Sequence, residues 1–191
     1  FYDLILKIDP DRKHIEGELS MEATIVHPTF WLVLDLDTLL QVNKVEVNGI
    51  KVSHQRRIGQ LWLPIGRQMQ AGERINATIK YSGNPRVAPR APWQGGFSWE
   101  KTTSGAHWIA TTCQTEGADI WWPCKDHVSD EPDSMKLHIE VPNELVVASN
   151  GSLQKVDKKN ATSVYHWNID NPINIYNVAL NIAPYRRIED R

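Results

Sequence analysis

The sequence predicts an all-β chain of sandwich-like antiparallel sheets, with long ordered loops and little or no helix. Three observations predict it. Apolar residues recur with period two along most of the chain, tight-turn dipeptides separate the runs, and no segment keeps a 3.6-residue apolar period over three turns. The apolar content is enough for a core. Of 191 residues, 41% are hydrophobic and 23% charged, the balance of a globular domain and not of a disordered chain. We read residues 1–191 as a single domain, since sandwiches of about 200 residues are common as one unit.

The elements follow in order. Residues 2–9 carry Tyr2, Leu4, Leu6 and Ile8 on one face, with Ile5 on the other. Residues 15–25 alternate almost strictly, through Ile15, Leu19, Met21, Ala23 and Ile25. Strands are also predicted at 31–36, 44–48, 61–64, 74–81, 107–112, 135–141, 145–148, 163–169 and 173–182. Asn48-Gly49 and Asn150-Gly151 each lie between short apolar runs, which is a hairpin signal. Gly95-Gly96 separates Trp93 from Phe97. Two stretches break the alternation. Residues 82–94 hold Pro85, Pro89 and Pro92 and read as an ordered surface loop. Residues 117–134 read as a loop pinned by Ile120, Trp121 and Trp122, with room for one turn of helix.

Charge and apolar run length exclude two classes. Lys plus Arg is 21 and Asp plus Glu is 23, so the net charge is −2 and no positive field exists to collect phosphates: no nucleic-acid partner is expected. No apolar run approaches the roughly 20 residues of a membrane span. The longest candidate, 30–40, is broken by Asp35 and Asp37. The only cysteines, Cys113 and Cys124, form no disulfide framework. Whether they pair is left open, and their number fits an exported, periplasmic or cytoplasmic location equally. Phe1 opens the chain without an initiator methionine, and the expectation is a domain cut from a longer protein.

Candidate chemistry is sparse. His127 lies beside Asp126, Asp130 and Glu131, yet a solvated acidic loop explains the group better than a metal site, because the spacing is generic. There is no H-E-x-x-H helix, no G-x-S-x-G elbow and no phosphate-binding glycine loop. Cys124 precedes Lys125, which can activate a thiol, but behind two tryptophans it reads as structural. The carboxylates Glu116, Asp119, Asp126, Asp130 and Glu131 read as solvation and turn capping. Of the eight tryptophans, Trp31, Trp62, Trp99, Trp108 and Trp167 lie in or beside strands and are assigned to the core; Trp93, Trp121 and Trp122 are left undecided. One pair stands out. In an extended Cys113-Gln114-Thr115-Glu116 segment, Gln114 and Glu116 share a face, where an amide carbonyl and a carboxylate can together accept from a substrate ammonium.

The order of motifs resembles the N-terminal domain of the aminopeptidase N family of zinc metallopeptidases, which includes the leukotriene hydrolases. The resemblance rests on the opening Tyr2-Asp3-Leu4-Ile5-Leu6-Lys7-Ile8-Asp9 with Ile15-Glu16-Gly17. It continues in the segment from Thr112 through Trp121-Trp122-Pro123-Cys124 to Asp126, in Asp130-Glu131-Pro132, and in the closing Leu145 to Gly151. Nearly the whole chain is covered. Residues 125–129 stretch the family's spacing between Cys124 and Asp130-Glu131-Pro132, and Thr112 stands where Gln is usual. The Trp-Trp-Pro form is similar to a bacterial branch.

The resemblance implies a saddle-shaped, largely antiparallel β domain in front of a catalytic domain that holds the zinc. It implies no cofactor in this chain, which lacks H-E-x-x-H and G-x-M-E-N and should be inactive alone. Its partners would be its own catalytic domain and a peptide with a free N-terminus. Of the amine-binding residues, the family's N-terminal domain supplies the Glu or Gln that matches Gln114, with Glu116 as a supporting candidate. Two other readings compete: a non-catalytic carbohydrate- or protein-binding sandwich, and an adaptor that kept the fold without peptidase action.

Overall fold

The computed structural model describes residues 1–113, 115–186 and 188. The strands are β1 (Tyr2–Asp9), β2 (His14–Thr24), β3 (Thr29–Asp35), β4 (Leu40–Val47), β5 (Ile50–Lys51), β6 (Gln55–Arg57), β7 (Gln60–Met69) and β8 (Arg74–Gly83). They continue with β9 (Gly96–Lys101), β10 (His107–Thr112), β11 (Met135–Pro142), β12 (Val146–Ser149), β13 (Ser152–Lys158), β14 (Thr162–Ile169) and β15 (Leu180–Ala183). Two single 3-10 turns, Ala118–Ile120 and Ile175–Asn177, are the helical elements among the described residues.

Three sheets result. Eight strands run β13-β14-β11-β1-β2-β8-β4-β5, four run β12-β15-β10-β9, and three run β3-β7-β6. Period two drives the large sheet. Leu4, Leu6 and Ile8 of β1, Ile15, Leu19 and Met21 of β2, Ile75 and Ile79 of β8, and Leu137 and Ile139 of β11 are all buried on one face. Ile5 stays 49% exposed on the other face. Residues of all three sheets share one hydrophobic cluster.

Pairing departs from the sequence reading at one ladder. β1 and β11 are parallel, with Tyr2 opposite Met135, whereas the other strand ladders among the described residues are antiparallel. The two strands lie far apart in sequence, so no hairpin imposes an antiparallel sense.

Other differences have local causes. β13 escaped prediction because six of its seven residues are exposed. It forms the lysine-bearing edge of the large sheet, where alternation has no core to answer. β9 was also missed. The strand expected across 173–182 is broken at Ile175–Asn177, where the Asn174 side chain accepts from the Tyr176 N–H at 3.0 Å and caps a turn; only Leu180–Ala183 remains extended. The tryptophan assignment is partly reversed. Trp31, Trp62, Trp99, Trp108 and Trp167 are half-buried, while Trp121 and Trp122, from the loop, are completely buried.

Tyr81 ties this loop to the sheet. Its ring lies over Gly17, where a Cβ would come within 2.2 Å of Cζ, so only glycine admits it. Its buried hydroxyl donates to the Trp121 carbonyl at 2.8 Å. Tyr81→Phe leaves that carbonyl without its donor. A loss of about 1–3 kcal/mol is expected in urea unfolding, and a neutral result would mean that water replaces the bond.

Candidate functional site

The site is built by residues 113–128, where β10 hands the chain to the long loop. The chain leaves extended conformation after Thr112. Glu116 and Gly117 N–H groups both point at the Cys113 carbonyl, at 3.2 and 3.0 Å, and Thr115 takes a positive φ of 66°. The extended geometry expected here is therefore replaced, at Thr115–Gly117, by a tight turn back onto Cys113. Gln114 itself lies outside the described residues.

The turn is anchored from behind by apolar packing. Ile120, Trp121 and Trp122 are buried, and Trp122 meets Tyr2 edge-on at 5.0 Å. Polar bonds hold its flanks. Cys124 and Asp35 exchange backbone hydrogen bonds at 2.6 and 3.1 Å, and the Asp126 N–H donates to Asp35 Oδ2 at 3.0 Å. Asp126 Oδ1 accepts from the Ala118 N–H at 3.0 Å, and the Asp37 N–H donates to the Asp119 carbonyl at 3.0 Å. Gly117 has φ 100°, and a Cβ there would stand 2.1 Å from Asp126 Oδ2 and 2.7 Å from Asp119 Oδ1. Two carboxylates thus converge over a position that must be glycine.

The electrostatics follow from that crowding. Burial pushes the Asp119 carboxyl up to about 7, and the negative charges of Asp126, Asp35 and Asp37 add to the rise. Two arginines answer this acidic group, and Arg56 donates to the backbone carbonyl of Asp37 at 3.1 Å. Arg86 donates from Nε to Asp37 Oδ2 at 2.9 Å and places a terminal nitrogen 3.4 Å from Glu116 Oε2. The Asp37 side chain is only 3% exposed, so this bond satisfies a nearly buried charge. The thiols do not contribute reactivity. Cys113 and Cys124 are free and buried, and burial raises Cys113 to about 11 and Cys124 well above its ordinary value, so Lys125 does not activate it.

A cleft of about 250 Å³ opens beside the turn, lined by Cys113, Glu116, Gly117, Asp126, His127 and Tyr176 among others. The residues weighed as metal ligands are otherwise engaged. His127 Nδ1 lies 2.8 Å from Ser129 Oγ, and Asp130 pairs with Lys125 at 3.1 Å. Glu131 contributes no further ligand: among the described residues no group of three or more His, Cys, Asp or Glu is arranged to hold a metal. The tryptophans make no flat sugar platform. Trp93 is the exposed one at 66%, and Trp31 meets Trp62 edge-on.

Sequence reasoning missed Arg86 and Asp37. Arg86 sits in the proline-rich loop read only as surface. Asp37 was noted merely for breaking an apolar run, although a charge inside such a run is itself a signal of a buried partner.

Residues 1–176 match the profile of the peptidase M1 N-terminal domain. The chain belongs to that family, the N-terminal domain of the aminopeptidase N group. The M1 zinc metallopeptidase of Deinococcus radiodurans has a similar fold, with a TM-score of 0.79 and 21% identity, over 95% of this chain and 41% of that one. A mutant of the same enzyme bound to a Tyr-Ser-Ala substrate gives 0.80 and 22%, with the same coverage. Transcription initiation factor TFIID subunit 2 of Drosophila melanogaster is 25% identical over 128 residues, which is 64% of this chain and 10% of that protein. The M1 N-terminal domain described here therefore spans under half of each of these relatives. Among the described residues no group of three or more His, Cys, Asp or Glu matches a ligand set for the zinc of the M1 peptidases.

Proposed function

We propose that this M1 N-terminal domain forms one wall of the active site of a zinc aminopeptidase, whose metal is held by a separate catalytic domain. In this reading Gln114 accepts a hydrogen bond from the free α-amine of a peptide. The supporting observation is the anchoring of its loop. The described residues on either side of position 114, Cys113 and Thr115–Gly117, are followed by the buried Trp121–Trp122 pair, and Arg86 reaches both Asp37 and Glu116. Such support is what a positioned acceptor needs. Glu116, with its carboxylate engaged by Arg86, steadies the turn and adds negative potential; it is not assigned a direct bond to the amine.

The test is Gln114→Ala in the full-length protein. A hydrogen bond to a charged group contributes about 1.5–3 kcal/mol, so kcat/KM for an unblocked aminoacyl substrate should fall roughly ten- to a hundredfold. An unchanged value removes Gln114 from the site. A second reading is favoured by the likeness to TFIID subunit 2, which is named as a transcription-factor subunit: the parent keeps the fold as an interaction scaffold. A full-length protein without aminopeptidase activity, yet folded, would select that reading.

A further inference from the structure

On the outward face of the large sheet, period two aligns four side chains across four adjacent strands. They are Asp3 on β1, His138 on β11, His166 on β14 and Asp157 on β13. His138 and His166 are directly opposed in the antiparallel register. Their rings meet at 4.7 Å between centroids, with Nδ1 facing Nδ1 at 2.5 Å. Behind each ring stands a carboxylate. His138 Nε2 is 3.0 Å from Asp3 Oδ1, and His166 Nε2 is 2.9 Å from Asp157 Oδ2.

Each carboxylate favours a proton on the Nε2 it faces, although His166 Nε2 and Asp3 Oδ1 make no hydrogen bond as the rings stand. With the proton on Nε2, each Nδ1 lone pair points at the other, an arrangement that a cation between them relieves. Imidazoles whose second nitrogen donates to a carboxylate are the usual arrangement of histidine metal ligands.

We propose that His138 and His166 bind a divalent transition-metal ion of the imidazole-preferring class, such as Ni²⁺, Cu²⁺ or Zn²⁺, through their Nδ1 atoms. Asp3 and Asp157 orient the rings, and water fills the remaining positions. At metal–nitrogen distances of about 2.0–2.1 Å a tetrahedral angle needs the two nitrogens about 3.3 Å apart, an opening of under about 1 Å that ring rotation supplies. The His138 and His166 side chains are 25% and 18% exposed, so an ion reaches them from solvent. Lys136 lies near His138, and Lys155 pairs with Asp157 at 2.6 Å; their charges moderate the affinity without blocking the nitrogens. The site lies on the large sheet and shares no residue with the 113–128 loop.

The experiment is calorimetric titration of the 191-residue chain with NiCl₂ at neutral pH in a non-coordinating buffer. One ion per chain is expected, with binding lost in His138→Gln and in His166→Gln. Asp3→Asn should weaken it roughly 10- to 100-fold, because it frees the ring it orients. Unchanged binding in the His138→Gln/His166→Gln double variant overturns the proposal, as does no binding by the parent chain up to about 1 mM, which leaves a shared proton as the cation. If the variants unfold, side-chain NMR of the parent decides. Substoichiometric CuCl₂ should broaden the His138 and His166 ring signals and spare His107, and uniform or absent broadening overturns the proposal.

Discussion

Trp122→Ala is expected to destabilise the fold by about 3–5 kcal/mol, the range for removing a large buried aromatic side chain. Trp122 is fully buried and contacts Tyr2 at 5.0 Å and Trp121 at 6.1 Å, both edge-on. Such aromatic pairs contribute about 0.5–1.5 kcal/mol beyond the area they cover. Its indole N–H has no hydrogen-bond partner among the described residues, so the loss is one of packing alone. The cavity has little scope to collapse. Tyr2 belongs to β1, which is held between β2 and β11 by ladders on both sides. Urea unfolding of the chain should show a lower midpoint at unchanged slope. Trp122→Phe should recover part of the loss. A cost below about 1 kcal/mol would mean that the plug does not hold the 113–128 loop, and the case for a positioned Gln114 would weaken with it.

Asp119→Asn is expected to act in the opposite direction. The Asp119 carboxyl is pushed up from 3.8 to about 7, by burial first and by Asp126, Asp35 and Asp37 next. A raised folded-state value means that the folded chain holds this proton more tightly than the unfolded chain does. Its contribution therefore favours folding at low pH. It declines as pH rises from about 4 to about 7, and above that the full cost of a buried carboxylate is present. Asparagine has the shape of the protonated acid and carries no charge at any pH. The variant should be more stable than the parent by on the order of 2–4 kcal/mol at about pH 8, and nearly equal to it at about pH 4. Thermal unfolding at the two pH values reads the difference directly. Equal stability at both would show that Arg86, or water in the adjoining cleft, already compensates the charge.

Much of the architecture could be read before the structure, and the reason is physical. Strands with one buried face must alternate, so β1, β2, β8 and β11 announce themselves through Leu4, Leu19, Ile79 and Leu137. Elements without that constraint were silent. β13 exposes nearly all of its residues, and the segment before β15 contains a side-chain-capped turn that apolar content alone does not reveal. The motif run from Thr112 to Asp126 pointed to the M1 family, and the burial of Trp121 and Trp122 agrees with the prediction that they pin the loop. The geometry of the candidate site was not legible. Period-two reasoning assumed extended backbone at Cys113–Glu116, but two N–H groups turn back onto the Cys113 carbonyl.

The sequence by itself determined the sheet class and the family, and pointed to the loop proposed to carry the site, because these depend on local pattern and on ordered motifs. Only the tertiary structure decided which charges meet. Arg86, Asp37 and Glu116 come from three separate segments, Asp35 of β3 meets Asp119 and Asp126 of the loop, and His138 faces His166 across a ladder whose register no local rule specifies. Electrostatic energy depends on distance and burial, and both are set only when the sheets close over one core.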